Sequence, residues 1–93
     1  MIEFYKEVAR YRADIEHART GQMIDYWAVV YEGPQPGQFH IRHSHTTQAE
    51  GAAGPYYSNT MTKADSAEDA EQRVRTWCQS IVDGHMVVEW PYD

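Results

Sequence analysis

The sequence predicts an α+β fold: a mostly antiparallel four-stranded sheet with two helices on one face, in the order α-β-β-β-α-β. Three observations carry that expectation. Apolar residues recur every three or four positions near the N-terminus and again after Asp65, as on one side of a helix. Between and after those stretches they alternate with a period of two, as along a half-buried strand. Each helical stretch has a single apolar stripe, and a sheet face is what would cover two such stripes. The chain has 93 residues, which fits a single domain over 1–93 with an adequate but small core.

The first helix is expected over residues 1–20, where Met1, Phe4, Val8, Tyr11, Ile15 and Ala18 form the stripe. Glu3 with Lys6, Glu7 with Arg10 and Arg12 with Glu16 stand three or four apart and would pair on its surface, and Gly21 would stop it. Residues 23–31 read as a central strand, with Ile24, Tyr26, Ala28 and Val30 on one face and Trp27, Val29 and Tyr31 on the other. The Gly- and Pro-rich stretch 32–37 predicts a turn, so that residues 38–47 return antiparallel. Residues 48–55, small and with two glycines, predict a surface connection. A weaker alternation over 56–63 predicts a third, edge strand.

Asp65 and Ser66 are candidate N-caps with Glu68 and Asp69 three residues after each, which places the start of the second helix there. Ala67, Ala70, Val74, Trp77, Cys78 and Ile81 would be its buried face, and Gly84 a left-handed cap. Met86, Val88 and Trp90 then alternate with Val87 and Glu89 in a last short strand before Pro91.

The formal net charge is −6, and the acids lie toward the C-terminal half. Affinity for nucleic acid comes largely from Lys and Arg neutralising phosphates, so direct nucleic-acid binding is not expected. No apolar run approaches the roughly 20 residues that span a bilayer, and the N-terminal stretch carries acids where a signal peptide would be basic, so no membrane partner and a cytoplasmic location are expected. Cys78 is the single cysteine; it has no disulfide or thiolate-site partner, in keeping with a reducing compartment.

Motif chemistry is sparse. In a strand His43 and His45 point to the same face, as paired metal ligands can, and a small metal-dependent hydrolase is the enzyme reading they support. Two imidazoles need a third ligand, however, and no spacing such as His-Glu-x-x-His supplies it. Cys78 lies within a helical face, no serine occupies a Gly-x-Ser-x-Gly turn, and 51–54 lack the Lys and Ser/Thr of a phosphate loop. No catalytic, cofactor or metal residues are therefore assigned, and the chain is expected not to be an enzyme.

The helix, three strands, helix order resembles a double-stranded-RNA-binding domain over about three quarters of the chain. That family meets phosphates with basic residues where its second helix starts; here stand Ser66, Ala67, Glu68, Asp69, Ala70 and Glu71, which repel them. What remains is surface character. Three Trp, seven Tyr and two Phe exceed what so thin a fold can bury, and Tyr and Trp are favoured interface anchors. The acids at the start of the second helix can dock on a basic groove. The candidate partner-binding residues are thus Asp65, Glu68, Asp69, Glu71, Tyr56, Tyr57, Trp90 and Tyr92.

In size, charge and lack of an active-site motif the chain resembles the small phage-encoded inhibitors of bacterial defence, the anti-CRISPR proteins. The resemblance implies a stoichiometric inhibitor that covers a basic, nucleic-acid-handling surface of a host defence complex in the bacterial cytoplasm. A homodimeric accessory domain, joined through the first helix or an edge strand, is the further alternative.

Overall fold

The computed structural model describes residues 1–57 and 61–90. At its centre lies β2 (Met23–Glu32), whose alternation is the one the sequence predicts: Ile24, Tyr26, Ala28 and Val30 are buried on one face. β1 (Lys6–Glu16) and β3 (Phe39–His43) flank it antiparallel, and the two-residue β5 (Lys63–Ala64) pairs with β3, giving a sheet in the order β1-β2-β3-β5. A second, two-stranded antiparallel sheet joins β4 (His45–Gln48) to β6 (Met86–Glu89). One helix, α1 (Ala67–Asp83), covers one face of the larger sheet with Ala70, Val74, Trp77 and Ile81.

The class is α+β with antiparallel sheets, and the detail differs from the expectation in four ways. The predicted first helix is strand β1. Its inward residues are Ala9, Tyr11, Ala13 and Ile15, alternating with exposed Arg10, Arg12, Asp14 and Glu16. Tyr11 and Ile15 are four apart and satisfy both periods; what decides is β2, which finds its ladder partner along nearly the whole of β1. Met1, Phe4 and Val8, which a helix stripe would bury, are exposed. Among the described residues a single helix, not two, therefore covers the sheet, and the order helix, three strands, helix shared with the double-stranded-RNA-binding domain is absent from them.

The predicted strand 38–47 exists as two pieces that belong to different sheets. Ser44 is the joint: its N–H donates to Trp27 O, its hydroxyl accepts from Trp27 N–H, and its carbonyl accepts from Trp90 N–H. Of the predicted strand 56–63, Tyr56 and Tyr57 lie outside any strand and Lys63 belongs to the short β5, while residues 58–60 fall outside the described residues. Finally, Gly84 is extended (φ −64°, ψ 155°) rather than left-handed. Glycine is needed there because a Cβ would meet Thr47 Cγ2 at 2.6 Å, so the end of α1 lies directly on β4. Left-handed Gly21 serves the β1–β2 turn instead.

The start of α1 is as expected. Ser66 is the N-cap, its hydroxyl accepting from Asp69 N–H at 3.0 Å, while Asp69 Oδ2 accepts from Asp65 N–H at 3.0 Å. One donor that the helix leaves over, Asp69 N–H, is thereby satisfied, together with the N–H of Asp65 just before the cap.

A candidate interaction surface built on stacked aromatics

Strand β3–β4 carries the site. His43, its last residue in the larger sheet, is fully buried. Its Nε2 lies 2.7 Å from Met61 O, an atom that only accepts, so Nε2 holds the proton and donates. Nδ1 is left to accept from Tyr26 Oη–H at 2.6 Å. Burial holds the His43 pKa below the ordinary 6.5, against a smaller opposite effect of the bond to Met61. The ring stacks on Trp90 at 5.7 Å between centroids and leans on Trp77 at 5.4 Å.

Outward from this buried imidazole the stack reaches the surface. Trp77 and Trp90 are 6.1 Å apart; Tyr56 stacks on Trp77 at 6.2 Å and Tyr57 meets Trp90 edge-on at 5.1 Å. Each is anchored by a hydrogen bond to the β3–β4 strand or is adjacent to a residue that is. Trp77 Nε1–H donates to His45 O at 3.0 Å, Trp90 N–H donates to Ser44 O at 2.8 Å and Tyr56 N–H donates to Thr47 O at 2.7 Å. The Thr46 hydroxyl donates to Tyr56 O. Tyr56 and Tyr57 are 58% and 47% exposed, so two large rings face solvent while resting on Trp77, which is buried, and Trp90, which is half-buried.

Of the predicted partner-binding residues, Tyr56, Tyr57 and Trp90 are brought together here. Asp65, Glu68 and Glu71 are exposed at or just before the start of α1; at about 1.5 Å per residue Glu68 lies about 14 Å and Glu71 about 9 Å along the helix from Trp77. Asp69 is occupied: besides capping, it accepts from Arg73 Nε–H at 3.0 Å, and these bonds, that from Asp65 N–H first, hold its carboxyl below the usual range. Tyr92 lies outside the described residues. Sequence reasoning missed Trp77, counted only as helix core, and Tyr26, whose hydroxyl fixes His43.

His43 and His45 do not share a face as an unbroken strand would have them, because the chain changes sheets at Ser44 between them. The Ser44 hydroxyl, which accepts from Trp27 N–H, also shares a hydrogen bond with His45 Nδ1 at 2.7 Å. Burial lowers the His45 pKa, opposed by Glu89 and Asp25. His17 is likewise used inside the fold, its Nε2–H donating to Gly84 O at 2.6 Å. Burial pushes the Cys78 thiol up, which disfavours its nucleophilic form. Among the described residues no three His, Cys, Asp or Glu side chains are grouped so that they could hold a metal ion, and no helix is long and apolar enough to cross a membrane.

No protein-family model matches this chain, and no curated protein or solved structure matches it significantly.

Proposed function

We propose that this chain is a protein-binding module whose contact surface is the outer edge of the aromatic stack, Tyr56 and Tyr57, continued along α1 by Glu68 and Glu71. Acting as a stoichiometric inhibitor, it covers a basic, nucleic-acid-handling surface of its partner. The observation that carries the reading is the pair of half-exposed tyrosines seated on Trp77 and Trp90. Binding normally costs the ordering of flexible side chains; rings already immobilised by packing lose little, and aromatics so placed make the strongest contributions at interfaces. The acids supply the other half of the argument, since carboxylates on a rigid helix attract a basic surface and speed encounter.

The test is retention of partners from a nuclease-treated bacterial lysate on tagged protein, with the captured partner then titrated in purified form. Tyr56→Ala with Tyr57→Ala is expected to weaken that binding by about 30-fold or more, the cost of losing a central aromatic anchor, with the chain still folded by circular dichroism. A folded double variant that binds as tightly as the wild type would remove this surface from the proposal.

A further inference from the structure

β1 is an outer strand of the larger sheet, and among the described residues nothing pairs with its far edge. The direction of its main chain follows from its neighbours. Trp27 directs both N–H and C=O to Ser44, on the β3 side of β2. In an antiparallel ladder a residue's two main-chain groups point the same way, so Arg12, opposite Trp27, turns its own groups away from β2. Alternation extends this to Arg10, Asp14 and Glu16. Ile41 gives an independent check: its N–H goes to Thr62 O, which leaves Val30, opposite it, bonded toward Ala9.

The residues that offer free main-chain groups thus read Arg10, Arg12, Asp14, Glu16, two positive and then two negative. That series is its own complement when reversed. We propose that β1 pairs antiparallel with β1 of a second copy, centred on Ala13, joining two four-stranded sheets into one of eight strands.

In this register Arg10 faces Glu16 of the second copy and Arg12 faces its Asp14, each pair occurring twice, so every outward-facing residue from 10 to 16 meets an opposite charge. Shifting the centre to Arg12 sets that arginine against itself, and centring on Tyr11 creates two Arg10–Arg12 pairs. Like charges directly opposed destabilise a ladder, so the charges select the register. On the other face Tyr11 meets Ile15 and Ala13 meets Ala13, where the small side chain suits the closer spacing of a non-hydrogen-bonded pair. The β-bulge between Glu7 and Ala9 limits the regular part of the strand to the stretch this pairing uses.

A cavity of about 340 Å³ opens between β1 and α1 at the same edge, lined in part by Tyr11, Ala13, Val74, Cys78 and Val82. A twofold axis normal to the sheet puts both helices on the same face, each beside its own copy of this cavity. The existing Arg12 pair with Asp25, bidentate at 2.8 Å but 74% and 65% exposed, is weak enough to be shared.

Sedimentation velocity of the whole chain tests this, at about 100 µM because association depends on concentration. The wild type is expected near twice the 10.8 kDa chain mass. Asp14→Arg with Glu16→Arg, or Arg10→Glu with Arg12→Glu, turns four attractive pairs into repulsive ones and weakens self-association about 10- to 100-fold. Mixing the two variants restores a dimer. As a milder probe, Ala13→Cys in a Cys78→Ser background forms an intermolecular disulfide on oxidation, whereas Ala9→Cys does not. A monomeric wild type, folded charge variants that dimerise unchanged, a mixture without complex, or no cross-link at position 13 would each overturn the proposal.

Discussion

His43 is buried completely, with Tyr26 giving it one hydrogen bond and the Met61 carbonyl receiving another. Truncation removes both hydrogen bonds, each worth about 0.5–1.5 kcal/mol, and leaves a cavity where the buried ring was; His43→Ala is therefore expected to lower the urea midpoint. Its pH behaviour has a definite sign. The unfolded imidazole takes its proton near 6.5, the folded one only at lower pH because burial disfavours the charge. Below 6.5 the unfolded state binds more protons, so stability holds above that pH and falls as pH drops below it toward the folded value. His45 contributes in the same direction. Urea midpoints measured across pH 7 to 5 should decline for the wild type, and His43→Gln should flatten the decline; a wild-type curve level to pH 5 would contradict the buried neutral ring.

At the level of elements, the contact of Gly84 with β4 is a tightly constrained junction. Gly84→Ala forces a Cβ against Thr47 Cγ2, an overpacking expected to cost about 1–3 kcal/mol. Thr47→Ser removes that methyl, so the double variant should regain much of the loss in a thermal melt; two independent, additive losses would argue against the contact. Those elements whose pattern admits one period were legible in the sequence. β2 has four inward apolar residues at strict alternation, and α1 has a cap at Ser66 and a stripe ending at Ile81. β1 was not legible, because Tyr11 and Ile15 serve a helix and a strand equally and only the ladder with β2 separates them. The sheet change at Ser44 leaves no local signal either, since it depends on Trp27 and Trp90, far away in sequence. That is also why the histidine pair looked like ligands in one dimension. Tyr56, Tyr57 and Trp90 could be marked as surplus aromatics, but their convergence on Trp77 is a product of packing.

Across the whole molecule charge is unevenly spread. The net value is −6, Glu68 and Glu71 project from α1, and Arg10, Arg12 and Arg42 are exposed on the sheet face turned away from it. If the proposed partner is approached through α1, Glu68→Lys with Glu71→Lys should slow association and reduce its salt dependence. The unfolding midpoint should barely move, since exposed substitutions cost about 0.5 kcal/mol or less; stopped-flow rates over a salt series separate this from damage to the fold, and unchanged rates would place the approach elsewhere. Asp69→Lys is a poorer probe than the sequence suggests, because that carboxylate holds the helix start together.

The Trp77–Trp90 pair also has an optical consequence. Two indoles 6.1 Å apart and inclined at 58° couple their electronic transitions, which gives a paired positive and negative band in the far-ultraviolet circular dichroism. One ring belongs to α1 and the other follows β6, so the couplet exists only while helix and smaller sheet remain docked. Its disappearance on heating, followed separately from the helical signal, reads the moment at which the two halves of the fold part company.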